Sequence, residues 1–501
     1  MQDKKQFFSN KLGFIMAAIA MAVGTGNIWR FPRMAAAHGG GSFLIILIIA
    51  VTICSIPLLM AEMGIGRYGR KGTVGSYGEF MGRKFSWIGG WMGFVCIAIM
   101  FYYSVVAGWT IKYVVLALQG EFVPGADTRA LWEAFSTNPR ETIFYHFLAM
   151  GITCFILYQG VVKGIERFAK IFLPILSIIL IAGAIRAISL PGSYLGVKYL
   201  FSVDVDFLLN PRTWIEGFAQ AAWSTGAGWA LLMTYAIYTK PKEGVGSSMF
   251  IIAYSDIALA IIAGLAILPT IFALAPTTEY AYEALEAGGV GMTFIYMSEL
   301  LASMPGGIIM ALLFFLCLTF SALSSLISQV EVGVANIVTA GWPRKKAVLI
   351  TCIAGFIFGI PSAYSLNFLD NQDFVWGVAL LISGMFTAIA VMKFGVEKFR
   401  VEHLNQFKSQ MTIGRWFNFL IRINPLLIGA IFIWQIYQSI VTDPENWWNP
   451  FKIETTGTMI LQWVIVLGIL LAANKWLGRY FNPNNSNKEE AEENKESKES
   501  D

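Results

Sequence analysis

Charge is what this chain has least of. Only 14% of its 501 residues are Asp, Glu, Lys or Arg, against roughly a quarter in soluble domains. With 56% hydrophobic residues, it reads as a polytopic membrane protein. A net charge of +4 excludes the strongly basic balance of a nucleic-acid binder, so no nucleic-acid partner is expected. Cysteine is also scarce. Cys54, Cys96, Cys154, Cys317 and Cys352 sit in apolar stretches without metal-like spacing, and they read as small core residues, not as a disulfide framework. The three histidines, His38, His146 and His403, lie far apart, and neither a nucleophile elbow nor a phosphate loop is present, so no enzyme is expected. Apolar–polar alternation is missing too. Runs such as Ile308 to Leu318 and Trp463 to Ala473 are continuous, which argues for helices and against a transmembrane barrel.

What is there instead is a series of apolar stretches long enough to cross a bilayer, near 12–36, 41–66, 87–117, 142–158, 167–187, 213–239, 248–274, 306–338, 346–361, 374–396, 424–441 and 457–480. Twelve crossings place both ends on one side. Basic residues crowd the N-terminal segment and the loops on that side, whereas the other loops contribute only Arg129, Arg140, Arg186, Lys198, Arg212 and Lys452. The positive-inside rule therefore predicts cytoplasmic ends and a multi-pass cell-membrane location, with the lipid bilayer as partner. The first apolar stretch runs on without a cleavage site and reads as a retained helix. The tail from 481 to 501 is polar, rich in Glu, Lys, Asn and Ser, and is expected to be disordered.

Two spans are interrupted near their centres. The first contains Gly24-Thr25-Gly26-Asn27 and the sixth Ser224-Thr225-Gly226-Ala227-Gly228, with Trp29 and Trp229 shortly after each break. Breaks in corresponding spans predict two five-helix repeats of inverted topology, 12–187 and 188–396, after a short segment 1–11 and before two added helices in 397–480. Breaking a helix in the membrane frees carbonyls and N–H groups that hydrocarbon cannot satisfy. Carbonyls then suit a cation, and half-helix N-termini suit an anionic group.

These residues carry a resemblance. Gly24-Thr25-Gly26-Asn27-Ile28-Trp29-Arg30-Phe31-Pro32, then Gly39-Gly40-Gly41-Ser42-Phe43 and Glu62-Met63-Gly64-Ile65-Gly66-Arg67-Tyr68, resemble the neurotransmitter:sodium symporters of the LeuT fold, in their prokaryotic amino-acid transporter branch. The likeness continues through Tyr102-Tyr103, the broken sixth span, Ser321-Ala322-Leu323-Ser324-Ser325 and Leu369-Asp370-Asn371-Gln372-Asp373-Phe374. It implies an all-α LeuT fold and sodium-coupled symport by alternating access.

The resemblance implies two sodium sites. Ala22, Asn27, Ser224 and Asp256 would hold one, together with the substrate carboxylate; Ala20, Val23, Ser321, Ser324 and Ser325 would hold the other. The i, i+3, i+4 spacing of the three serines independently puts them on one helix face, although close helix packing would use the same small residues. Asp256 departs from the family, which usually has Asn there. A carboxylate within an apolar span is functional by default. The chloride-binding Tyr and second Ser of other members are replaced here by Leu47 and Ala260, so Asp256 is expected to supply the fixed negative charge and to make transport chloride-independent.

By the same resemblance, Gly24 indicates an amino-acid substrate, since members that carry monoamines have Asp there. Tyr103 would meet the substrate carboxylate. Gly26 and the other broken segments would meet its amine, and Ile99, Trp223, Gly226, Trp229, Ser325 and Gln329 would line a mostly apolar pocket for a neutral side chain, hydrophobic or aromatic. For Trp229 a core or interface-belt role competes. Arg30 and Asp373 resemble an outer gate. At the inner side Lys5 and Tyr238 fit the family, but its acidic partner falls at Thr339, leaving Glu331 as a substitute. Glu62 either accepts bonds from the unwound backbone or snorkels to the membrane edge. A sensor of the same fold that binds but does not translocate is the competing class.

Overall fold

A computed structural model of the chain describes residues 6–406, apart from 242 and 245, and 411–482. Among these residues every regular element is helical. Nine helices among the described residues are long and apolar enough to cross a membrane. We number the membrane helices α2 (Gly41–Gly69), α3 (Arg83–Gln119), α4 (Pro139–Tyr158), α5 (Val161–Ile188), α7 (Gly246–Leu274), α8 (Gly307–Thr339), α9 (Arg344–Tyr364), α10 (Leu366–Phe394) and α11 (Trp416–Thr442). Two bent pairs add α1 (Lys11–Ala22 with Gly26–Ala37) and α12 (Thr456–Ala472 with Asn474–Phe481). Between α5 and α7 lies the interrupted α6 (Pro211–Thr225 with Leu231–Ala236), which is not itself a long apolar helix.

Side-chain caps set several of the starts. Asn10 accepts from Gly13 N–H at 2.8 Å before α1, and Asn138 and Asn210 cap α4 and α6 just ahead of prolines that lack an N–H to satisfy. The largest differences from the hydropathy reading lie in the last three helices. Helix α10 begins at Leu366, capped by Ser365, not near 374. Its first turns are polar and therefore invisible to a hydropathy window, and they carry Asp370 and Asp373. Helix α11 likewise begins earlier, at Trp416, and α12 bends by 57° at Ala473 instead of running straight from 457 to 480.

The two internal breaks have different causes. In α1 the chain leaves the helix at Val23 and resumes 51° away as a widened turn, Gly26–Arg30, leading to Pro32. In α6 three residues within five adopt left-handed backbone, Gly226 (φ 73°), Gly228 (φ 89°) and Ala230 (φ 61°), so no α-helix can pass through. Gly228 is also required by space, because a Cβ there would lie 2.9 Å from the Leu380 carbonyl of α10.

The polypeptide alternates between two faces. Phe8 N–H donates to the Tyr238 carbonyl at 2.9 Å and Asn482 accepts from Lys71 at 2.7 Å, so both described ends lie on one face, here called the terminal face. Helices α1, α2, α3, α6 and α8 form the interior. Helices α4, α5, α9, α11 and α12 surround them and leave large apolar side chains exposed, as at Ile178 (66%) and Ile433 (68%).

Candidate functional site

A cavity of about 270 Å³ opens where both broken helices meet α3 and α8. The residues around it come from the breaks themselves: Gly24, Thr25 and Gly26 from α1, and Trp223, Ser224, Gly226 and Trp229 from α6. Helix α3 contributes Tyr103 and α8 contributes Ser325 and Gln329. The cavity continues towards the face opposite the termini, past Val106 and Trp109 to Arg30, Arg33, Asp370 and Asp373.

Gly24 marks its narrowest chemistry. A Cβ there would lie 2.8 Å from Ser325 Oγ and 3.4 Å from Tyr103 Oη, so any side chain would occupy the space between two hydroxyls. The Tyr103 hydroxyl also accepts from Thr25, from N–H at 3.4 Å and from Oγ1 at 3.3 Å. Freed backbone and two hydroxyls thus face one small volume, a setting suited to a carboxylate.

Behind that volume lies a buried polar knot. Asn27 Nδ2 donates to Asp256 Oδ1 at 2.7 Å, to Ser224 Oγ at 3.2 Å and to the Asp256 carbonyl at 3.2 Å, while Ser224 Oγ donates to Asp256 Oδ2 at 2.6 Å. Asn27 Oδ1 in turn accepts from Gly24 N–H at 3.1 Å. Asp256 is fully buried, and no Lys or Arg pairs with it among the described residues. Asn27, Ser224 and Ala22 line the cavity; Asp256 stands one layer behind them. A hard cation with carboxylate, carboxamide, hydroxyl and carbonyl donors fits this set, and it would offset a charge that is otherwise costly to bury.

The five residues expected at a second cation site are only partly together. Ala20, Val23 and Ser324 border a separate void of about 10 Å³, closed by Phe168, Phe172 and Phe320. Such a void accommodates about one water-sized particle. Ser324 Oγ donates to the carbonyls of Ser321 at 2.8 Å and Val23 at 3.4 Å, so the hydroxyl bridges α8 to the α1 break. Ser325 Oγ donates to the Met21 carbonyl at 3.2 Å, and Ser325 lines the larger cavity. Ser321 turns its hydroxyl back to the Leu318 carbonyl of its own helix.

Ile99 does not line the cavity. It is fully buried one turn inward of Tyr103, whereas α3 borders the cavity only outward, through Tyr102, Tyr103, Val106 and Trp109. Met21 and Leu231, which the sequence reading missed, are the lining residues nearest Gly226: a Cβ there would lie 3.6 Å from Leu231 Cδ1 and 3.7 Å from Met21 Cε.

Glu62 is fully buried and accepts from Gly228 N–H at 2.6 Å, serving the broken α6; no bond from it to α1 is found among the described residues. This position excludes snorkelling. Arg30 and Asp373 both border the cavity but are not paired. Arg30 donates to Gln220 Oε1 at 2.7 Å and lies 3.8 Å from Glu216.

The terminal face is sealed by a group the sequence reading caught only in part. Arg344, at the start of α9, grips Glu331 with both nitrogens at 2.6 and 2.7 Å, and the Tyr238 hydroxyl donates to the same carboxylate. Phe8 packs edge-on against Tyr235 and Tyr238. Lys5 lies outside the described residues. In sequence Arg344 is one of three consecutive basic residues, Arg344-Lys345-Lys346, at a helix start; its neighbours are exposed while it is buried.

The chain resembles known proteins over nearly its whole length. The model of the "Sodium:neurotransmitter symporter family" matches residues 5–137 and 140–478. A sodium-dependent transporter of Methanocaldococcus jannaschii is 26% identical, with 94% of this chain and 98% of that protein covered. A second, from Bacillus subtilis, is 28% identical, with 86% and 98% covered. Among solved structures, MhsT in complex with L-phenylalanine superposes with a TM-score of 0.76 at 30% identity, covering 86% of this chain and 99% of MhsT. The chain has the LeuT fold and belongs to the sodium:neurotransmitter symporter family, whose members are sodium-coupled transporters and not enzymes.

Proposed function

We propose that this chain couples sodium entry to the uptake of a neutral amino acid, hydrophobic or aromatic, by alternating access and without chloride. One observation supports this reading above the others: the buried Asp256 carboxylate, with Asn27 and Ser224 as its polar partners, directly behind the volume that Gly24 leaves free. In this reading a sodium ion joins Asp256, Asn27, Ser224 and Ala22 to the substrate's carboxylate. Tyr103 and the freed backbone near Gly26 orient the substrate, and its side chain points towards Gly226 and the two tryptophans. A second sodium uses Ala20, Val23 and Ser324, with Ser321 and Ser325 turning their hydroxyls inward.

Asp256 stands in for chloride as the fixed anion. The terminal face is cytoplasmic, the exposed apolar ring meets lipid in the cell membrane, and the two five-helix repeats, 12–187 and 188–396, rock about the site. At 100 mV each charge moved inward contributes about 2.3 kcal/mol to accumulation.

Proteoliposomes holding the full chain test this with a panel of labelled amino acids. A sodium gradient should drive accumulation of a neutral amino acid, and replacing chloride with gluconate should leave the rate unchanged. Saturable, sodium-dependent binding without accumulation would instead identify a sensor. A large loss in gluconate would remove Asp256 from its assigned role. Gly24→Ala should weaken substrate affinity by about tenfold or more, since its methyl contacts Ser325 Oγ.

A further inference from the structure

The apolar lining is interrupted at two points that the reading above leaves unused. Gln329 is 1% exposed and its Oε1 has no hydrogen-bond partner; Trp229 is 5% exposed and its indole Nε1 has none either. Both residues line the cavity, and a ligand there reaches these two atoms once the side chains turn towards it. An unmade bond at a buried polar atom is expensive, and such atoms are few in folded proteins unless a ligand completes them.

The two groups are complementary in kind. Gln329 Oε1 can only accept and Trp229 Nε1 can only donate. Their place follows from the helices that carry them. Gln329 lies four residues beyond Ser325 on the same face of α8, so if Ser325 marks the main-chain end of a bound amino acid, Gln329 lies one turn further along its side chain. Trp229 follows the left-handed Gly226 and Gly228, and its ring meets Trp223 edge-on at 5.2 Å. Tyr102 and Trp109 also bury unpartnered polar atoms, but they belong to the outward run of α3. The terminal torsion of a glutamine is broad, so its amide turns towards a ligand at little cost.

We infer that Gln329 and Trp229 select the substrate's side chain, and that the amino acid preferred by this site has an uncharged side chain whose end both donates and accepts a hydrogen bond. Gln329 accepts from that group while Trp229 donates to it. A phenol hydroxyl between two tryptophan rings meets both demands, and a carboxamide meets them without the ring; phenylalanine and methionine meet neither. The inference rests on the proposed amino-acid site and, within neutral amino acids, moves the preferred side chain from a purely hydrophobic one to one with a polar end.

Calorimetric titration of the purified full chain in sodium buffer tests it with two pairs, tyrosine against phenylalanine and glutamine against methionine. In each pair that binds, the polar member should bind at least about tenfold more tightly, because a site with unmet polar groups penalises an analogue that cannot pair them. Gln329→Leu should reduce that ratio to near one. Trp229→Phe, which removes the indole donor and keeps a ring, should reduce it by a smaller factor. Phenylalanine and methionine binding as well as or better than their partners would overturn the inference and leave the transport reading intact. A ratio unchanged in both variants would equally overturn it. If no member of either pair binds in sodium, the proposed amino-acid site itself falls.

Discussion

The two ends of the substrate pathway are built differently. At the face opposite the termini, Arg30 reaches Gln220 and, at 3.8 Å, Glu216, while Asp373 borders the same cavity unpaired with it. At the terminal face Arg344, Glu331 and Tyr238 form a hydrogen-bonded group around the fully buried Glu331 carboxylate. The Tyr235 and Ser328 hydroxyls bond at 2.7 Å beside it, and Phe8 covers it. One end is a loose set of charges, with the Arg30 and Glu216 side chains 21% and 28% exposed; the other is a bidentate pair with its carboxylate fully buried. Under the alternating mechanism proposed above, the first re-pairs cheaply and the second keeps the terminal-face end shut until something offsets its loss.

The sharpest way to break this contrast is Arg344→Ala. It leaves Glu331 buried without its cation, a loss of about 3 to 5 kcal/mol, and should release the terminal face. In a cysteine-free background, a Ser328→Cys probe, fully buried in the intact chain, should then react with a thiol reagent roughly a hundredfold faster. Pairing Arg344→Met with Glu331→Leu removes both charges and should restore most of the protection. No gain in reactivity from Arg344→Ala would mean that packing around Phe8, not the ion pair, closes this end.

At the opposite end the same kind of change should cost much less in binding. Arg30→Gln removes a partly exposed cation, for which pair energies of about 1 kcal/mol or below are usual. Sodium-dependent substrate affinity should therefore change by no more than about fivefold. Uptake should nevertheless fall by about tenfold or more if Arg30 must reach Asp373 for the cavity to close. Equal loss of binding and uptake would place Arg30 in the substrate site and remove it from a gating role.

How much of this was legible in the sequence follows the same division. The broken helices were legible because glycine pairs in apolar spans have few other uses, and Asp256 because a carboxylate there demands an explanation. The order of the twelve helices followed from their apolar runs. Arg344 was not legible: as part of a basic run at a helix start, only its burial separates it from Lys345 and Lys346. The polar first turns of α10 were invisible to hydropathy, which put Asp370 and Asp373 before the helix that carries them. Ile99 lies one turn inward of the lining residue Tyr103; sequence gives the face of α3 but not the height at which the cavity ends. Gln329 and Trp229 were placed at the pocket by resemblance, and only coordinates reveal their unpartnered atoms.

The smallest effect should come from the N-terminal segment's outer attachment. Glu166 in α5 accepts from the Ser9 backbone N–H at 2.8 Å and its hydroxyl, and pairs with Lys170 at 2.5 Å. These contacts fix the chain just before α1, while Lys240 Nζ donates to the Ser9 carbonyl at 2.7 Å from the end of α6. Glu166→Gln keeps the shape and weakens charge-assisted bonds, a change of about 1 kcal/mol, so the Ser328→Cys probe should react only a few-fold faster. If the sealed face depends mainly on the Glu331 group, adding Glu166→Gln to Arg344→Ala should raise reactivity by the same few-fold factor that it gives alone, the additivity expected of separate sites. A much larger combined effect would show that the N-terminal segment and the buried pair act as one latch, and the contrast between the two ends would then lie in how many elements each one ties together, more than in the strength of any single pair.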